Sequence, residues 1–432
     1  MTDIQTLYAR YQQCGTLTTD TRDCPRGSMF VALKGDNFDG NLFAEKALEN
    51  GCAMVVVDNA EVAQTIQAKH GEECVVFTDD CLQTLKDLAR EHRRQFDIPV
   101  VGITGTNGKT TTKELIAAVL SKKYDVLYTQ GNFNNDVGVP KTLLRLEPHH
   151  EIAIIEMGAS HPGDIKTLVE TVEPTCGLIT NVGRAHLLGF GSFEGVMKTK
   201  GELFDYLKND LVFINIDDEH LMAMAEARHI DRLFTYSAKG LGTVNGEVVS
   251  CDPFLTFRWG EREVHTQLVG AYNIYNMLAA IAVGLQFDVN EQEILNALES
   301  YVPSNNRSQM MTTPYNRLVV DAYNANPSSM AAALENFALM KADHKMAIIG
   351  AMGELGEASD EEHRKLVAQL EKDGFEEVWL VGDAFSDIPC SFRKFHDVGE
   401  VKAVLAEHRP EGYCILIKGS NSVRLSELTP LL

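Results

Sequence analysis

PVVGITGTNGKTTTKELIAAVL, residues 99–120, places three features in one order. The apolar run Val100–Ile103 reads as a buried strand. A turn bearing glycines follows, Gly105-Thr106-Asn107-Gly108-Lys109-Thr110-Thr111. A helix then opens with Leu115, Ile116, Val119 and Leu120 on one face. A chain of phosphates needs converging N–H donors, one point cation and a hydroxyl for Mg²⁺. A glycine turn at a helix N-terminus supplies the donors, because side chains would block close approach and the helix dipole favours anions. Lys109 is then expected on the outer phosphates and Thr110 on Mg²⁺. Ile103 stands where the strict pattern of such loops has glycine. Without a ligand, the same letters describe a tight connection between strand and helix.

On both sides of this segment, apolar runs alternate with helix-period segments. Strands are expected at Met54–Val57, Val75–Phe77, Ile152–Ile155, Leu178–Thr180, Val212–Ile216, Leu318–Val320, Met346–Ile349, Val378–Val381 and Cys414–Ile417. The alternation predicts an α/β fold of parallel sheets flanked by helices. Residues 253–269 have another texture: they alternate around Gly260 and predict a hairpin added to the scaffold. With roughly 100–200 residues per domain, 432 residues make two to four domains. Limits near Thr78 and Asn305 give three: a small N-terminal domain (1–78), a large central one (79–305) and a Rossmann-like C-terminal one (306–432). The last lacks G-x-G-x-x-G, so no dinucleotide is expected there.

A formal net charge of −22 argues against a nucleic-acid binder that relies on overall positive charge. It also means that an anionic substrate must be met by local devices. The nine cysteines form no C-x-x-C pair and read as reduced thiols. No secretory leader and no run of about 20 apolar residues is apparent, so a cytoplasmic chain without membrane insertion is expected.

Several polar residues stand at strand ends, where ligands meet parallel sheets. Glu156 is a hard-oxygen candidate for Mg²⁺, although a strand-end Glu taken alone is more often a surface or capping residue. His186 follows the strand Leu178–Thr180. Lys198 and Lys200 alone read as solvated helix lysines. Asn273 suits a helix N-cap, and Asn276 has the donor and acceptor to meet an adenine edge. Arg307 follows the second limit and suits a phosphate or transition-state charge. Asp321-Ala322-Tyr323-Asn324-Ala325-Asn326-Pro327 ends a strand and opens a helix, so a capping role is also open.

These motifs, in this order along essentially the whole chain, resemble the Mur ligases. The phosphate loop is also similar to that of folylpolyglutamate synthetases. The family activates a carboxylate as an acyl phosphate, which an amine then attacks. The resemblance implies ATP on Gly105, Thr106, Asn107, Gly108, Lys109, Thr110 and Thr111, with Asn273, Asn276, Arg307 and Asp321 completing the nucleotide site. It implies two Mg²⁺ sites, on Thr110, Glu156, His186 and Lys200, with Lys200 carrying a CO₂-derived carbamate. Lys109, His186, Lys200 and Arg307 are the implied catalytic residues.

The Tyr-Asn-Ala-Asn-Pro run resembles the branch that adds D-alanyl-D-alanine to UDP-N-acetylmuramoyl-tripeptide. It implies that Tyr323, Asn324, Asn326 and Lys418 border the substrates. At the other end, Thr19-Asp20-Thr21-Arg22 and Lys34-Gly35 with Asp39 resemble a UDP-sugar module. Asn134 and Asn135 resemble a loop between ATP and the acyl side. Asn41 stands where the family commonly has His. Asn421 follows Lys418-Gly419-Ser420 where the family has a basic residue, so Arg424 is the substitute. His363 matches a family histidine. A monomer is expected. A sister ligase adding the third amino acid would carry Asp-Asn-Pro-Arg in the last domain, which is absent. A nucleotide switch or kinase, or a non-catalytic scaffold, would bind nucleotide without forming an amide.

Overall fold

The computed structural model describes residues 3–304 and 306–432. The expected limit at Asn305 therefore lies outside the described residues. The chain forms two compact units, one of Met1–Gly102, Tyr124–Gly158 and Asp164–Cys176, the other of Ile103–Lys123, Ala159–Gly163 and Gly177–Leu432.

The first unit contains a four-stranded parallel sheet, in the order Leu17–Thr18, Met29–Val31, Met54–Val57, Val75–Phe77. Val55, Val56 and Val57 are wholly buried. A parallel strand covered on both faces needs such an uninterrupted apolar run. Helices Ile4–Cys14, Ala60–His70 and Cys81–Arg93 contribute Leu7, Tyr11, Ile66 and Leu85 to the core. Each such aliphatic side chain contributes about 1.5–3 kcal/mol by leaving water. Asn59 and Asp80 cap the second and third of these helices by accepting first-turn N–H groups. A further strand, Val126–Tyr128, pairs in parallel with Ile152–Glu156.

His92 lies inside this unit. Its Nδ1 accepts from the Tyr8 hydroxyl at 3.0 Å and its Nε2–H donates to the Leu146 carbonyl at 2.9 Å. Burial holds it below the usual histidine range. The unfolded chain therefore takes up a proton near pH 6.5 that the folded chain refuses. Stability is full above that pH and falls as acidification proceeds toward the depressed folded value. Thermal unfolding followed from pH 7.5 to 5 should show the midpoint dropping, with a shallower drop in His92→Gln.

In the second unit, Leu211–Asn215, Leu233–Ser237 and Val244–Cys251 run parallel. Leu255–Trp259 and Arg262–His265 then add an antiparallel hairpin through Gly260, whose φ of +60° suits glycine. The expected hairpin is present, with Val244–Cys251 paired beside it. A six-stranded sheet follows, in the order Gln309–Thr312, Arg317–Asp321, Cys414–Lys418, Lys345–Gly350, Glu377–Val381, Arg393–Phe395. Only the first of these is antiparallel. The parallel register of Arg317–Asp321 with Cys414–Lys418 sets Asp321 beside Lys418 at the carboxyl ends of the two strands. Among the described residues no helix is long and apolar enough to cross a membrane.

Candidate active site

The strand Val100–Thr104 delivers the chain into the phosphate loop, and Lys109–Leu120 leaves it as a helix. The loop has a built-in brace. Thr106 N–H donates to the Asn181 carbonyl at 2.9 Å, and Asn107 N–H to Asn181 Oδ1 at 3.0 Å. The Thr180 hydroxyl and Asn181 Nδ2 both donate to the Asn107 carbonyl, at 2.6 and 3.0 Å. Thr106 Oγ1 accepts from Gly183 N–H at 2.9 Å. Thr180 and Asn181 had no assigned role from sequence, and only their place after a strand end could have marked them. Lys109 Nζ lies 2.9 Å from the Gly105 carbonyl and 3.0 Å from that of Thr106, so the ammonium sits over the loop.

Two glycines are required here. Gly105 has φ +143°, and a Cβ there would stand 2.0 Å from Thr180 Oγ1 and 3.0 Å from Thr180 N. Gly108 has φ +79°, and its Cβ would meet Asn276 Oδ1 at 2.7 Å. Gly105→Ala must break the Thr180 brace and strain the backbone, costing about 1–3 kcal/mol. Nucleotide affinity measured by calorimetry should fall at least tenfold while the far-ultraviolet circular dichroism spectrum stays native.

Asn276 lies beneath the loop. Its Oδ1 accepts from the Thr112 hydroxyl at 3.0 Å and its Nδ2 donates to Asn273 Oδ1 at 2.8 Å. Its amide oxygen and one amide N–H are therefore occupied in supporting the loop. Asn273 precedes Ile274–Gln286, but its side chain makes no cap: its amide donates to the Val269 carbonyl at 2.8 Å. The capping expectation fails because Asn273 is itself helical, at φ −69° and ψ −11°, which turns the amide away from the first-turn N–H groups.

Asn326 caps Pro327–Leu339 in a reciprocal box with Ser329, with Pro327 in the first turn. Its Nδ2 also donates to Asn107 Oδ1 at 2.8 Å, which ties the Tyr323–Pro327 block to the loop. The Arg307 guanidinium stacks 3.8 Å above the Tyr323 ring. Lys418 is buried, with Nζ 2.5 Å from Asp321 Oδ2 and 3.5 Å from the Asn324 carbonyl. Asn324 is exposed and accepts its neighbour's N–H.

Lys200 departs from the solvated reading: it is 2% exposed, whereas Lys198 is exposed. Its Nζ lies 3.5 Å from the Ala159 carbonyl and 5.5 Å from the Phe190 ring centre. His186 is half-buried at φ +50°, with Nδ1 against the Glu354 carboxylate. Burial lowers its proton affinity. Glu354 opposes that, while Lys109 and Lys200 add to it. Beside it lies a cavity of about 520 Å³, lined by Arg184, Leu187, Leu188, Phe193, Leu355 and Glu357 among others.

In the first unit Glu156 is 1% exposed, so the surface reading fails there too. Asn134 Nδ2 donates to its Oε1 at 2.8 Å, and its N–H donates to the Thr129 hydroxyl at 3.0 Å. Asn135 accepts from Gly138 N–H at 2.8 Å and caps the turn. Asp20 is gripped by the exposed Arg22 guanidinium, which holds its carboxyl at about 2, on a half-buried turn with Thr19 and Thr21. Lys34 pairs with Asp58 at 2.7 Å, on a short hairpin with Gly35 and Asp39. Asn41 is buried and bridges Asp39 and Asp58, so its amide is used inside the fold. Among the described residues no group of three or more His, Cys, Asp or Glu side chains could hold a metal alone. Taken singly, the Glu156 carboxylate and the Thr110 hydroxyl are each a hard oxygen donor of the kind Mg²⁺ takes.

Family models match along the chain in order: the Mur ligase family catalytic domain at residues 15–93, the Mur ligase middle domain at 103–284, and the glutamate ligase domain of Mur ligases at 306–421. The UDP-N-acetylmuramoyl-tripeptide--D-alanyl-D-alanine ligase of Bacillus subtilis is 33% identical, over 95% of this chain and 92% of its own. That of Escherichia coli is also 33% identical, over the same shares. Among solved structures, MurF from Acinetobacter baumannii superposes with a TM-score of 0.87 at 28% identity, over 99% of this chain and 97% of its own. MurF from Thermotoga maritima in complex with ADP gives 0.84 at 27% identity, over 100% and 98%. Likeness of this extent, over a braced phosphate loop tied to the block beyond it, has one reading: the chain belongs to the Mur ligase family.

Proposed function

We propose that this chain joins D-alanyl-D-alanine to UDP-N-acetylmuramoyl-tripeptide at the expense of ATP, as a monomer, in cytoplasmic synthesis of the peptidoglycan precursor. The tripeptide's terminal carboxylate attacks the γ-phosphorus of ATP, giving an acyl phosphate and ADP. The amine of the dipeptide then forms the amide bond and inorganic phosphate leaves. We place the domain limits at 78 and 305, with the sugar nucleotide on the first domain.

One observation carries the reading. Asn107 is held from one side by Asn181 and from the other by Asn326, so the ATP loop and the Tyr-Asn-Ala-Asn-Pro block form one assembly. Because Thr106 and Asn107 spend their N–H groups on Asn181, the phosphate donors are the N–H groups that open the helix at Lys109. Lys109 supplies the point charge. Thr110, Glu156, His186 and the carbamate of Lys200 would hold the two Mg²⁺ ions. Bound there, the ions would neutralise charge on the transferring phosphoryl group. Arg307, stacked on Tyr323, is a rigid guanidinium available to the same charge. Asp321 meets the ribose and Lys418 fixes Asp321. The cavity beside His186 has room and mixed polarity for a dipeptide.

Phosphate release with UDP-N-acetylmuramoyl-tripeptide and ATP tests the proposal. Release should depend on D-alanyl-D-alanine and yield the pentapeptide product. Release without the dipeptide, or dependence on a single amino acid, would sink it.

A further inference from the structure

Glu354 is in the left-handed region at φ +60°, and its carboxylate meets Nδ1 of His186, itself left-handed at φ +50°. Two such residues facing each other is an arrangement the surrounding structure must hold in place. The holding contacts are present. Met352 N–H donates to Nε2 of His363 at 3.0 Å. His363 is wholly buried, and its Nδ1–H donates to the Ser359 carbonyl at 2.7 Å. Gly353 N–H donates to Ser420 Oγ at 2.8 Å. The Glu354 carbonyl in turn accepts from Leu188 N–H at 3.3 Å, two residues beyond His186. The loop 352–354 is therefore pinned at three successive residues, and its last member grips the imidazole.

We infer that Glu354 is a positioning residue for His186. Its carboxylate, set against Nδ1, keeps the proton on that nitrogen, fixes the ring's orientation and leaves the lone pair on Nε2. A carboxylate behind a histidine sets tautomer and direction in this way wherever the far nitrogen serves as a ligand. His363 and Ser420 act one step further back, through the backbone of the loop. This assigns work to His363 and to the serine of Lys418-Gly419-Ser420 that the ligase reading leaves without any. It rests on that reading only for what Nε2 does.

The test compares Glu354→Ala and Glu354→Gln with the unaltered protein. The Glu354 side chain is 60% exposed, so both variants should fold. Nitrogen-15 spectra of the labelled imidazoles, without nucleotide or metal, should show His186 in the Nδ1–H tautomer in the unaltered protein. Glu354→Ala should shift it toward Nε2–H. The Mg²⁺ concentration for half-maximal ligation should rise about 10–100-fold with KM for the sugar nucleotide unchanged. Glu354→Gln, whose Oε1 still accepts from Nδ1–H, should keep the tautomer and most of the activity. An unchanged tautomer in Glu354→Ala, or a Gln variant as impaired as Ala, overturns the inference. A tautomer shift in a protein that never ligates supports it and removes the ligase reading instead.

Discussion

Lys109→Ala is expected to lower kcat/KM for ATP by about 10²–10³-fold, the order of loss when one donor is removed from a preorganised oxyanion site. Lys109 is only partly buried, and its Nζ rests on two carbonyls of its own loop. Those carbonyls remain free to meet water when the side chain is cut away. The braces from Thr180, Asn181 and Asn326 do not involve it. The variant should therefore unfold within a few degrees of the parent. Lys109→Arg should not restore activity: a planar fork cannot reach two carbonyls and a phosphate chain as a compact ammonium does. Steady-state phosphate release with both peptide substrates saturating measures the first effect, and calorimetric titration with ATP separates binding from turnover. Near-parental turnover in Lys109→Ala would mean that the helix N-terminus alone stabilises the transferring charge.

The contrast between Lys109 and Lys200 shows what the letters reveal. The phosphate loop is legible because its evidence is local: strand, glycines, lysine and amphipathic helix follow one another within 22 residues. The long parallel strands are legible for the same reason, since burial on both faces leaves an apolar run. Leu17–Thr18 is too short for any period to show, and Met29–Val31 is hidden in the longer apolar run Met29–Leu33. Leu233–Ser237 is half-exposed at one end and carries Thr and Ser, which hides it. Site residues divide likewise. Nothing near Glu354 in sequence announces His186, and nothing near Asn181 announces the loop it braces. Lys198 and Lys200 are two positions apart on one helix, about 200° around it, so one faces water and the other the interior. Asn273 has the right letter and the right position for a cap, and its own helical backbone turns its amide elsewhere.

Lys200→Ala should therefore abolish ligation, and short carboxylates added to the assay should restore part of it. Lys200 is 2% exposed, between the Ala159 carbonyl and the face of Phe190. A lysine taken out of water in this way is costly unless the site uses it. Addition of the neutral amine to CO₂ forms an N–C bond, releases one proton and leaves a carboxylate where a cation stood. Two oxygens then become available for Mg²⁺. Truncation to Ala would remove both the proposed anion and the stem, and leave a space that formate or acetate can enter. Restoration by such an anion, and none by an ammonium salt of matched size, is the outcome that a carbamate demands and a structural lysine does not. ATP affinity should change little, since the loop's braces are untouched, and the unfolding midpoint should report separately the cost of the space left behind. Full activity in Lys200→Ala would remove the carbamate. Activity lost and recovered only by cationic additives would instead make Lys200 a point charge, and the acyl transfer would then have to proceed with one anionic ligand fewer.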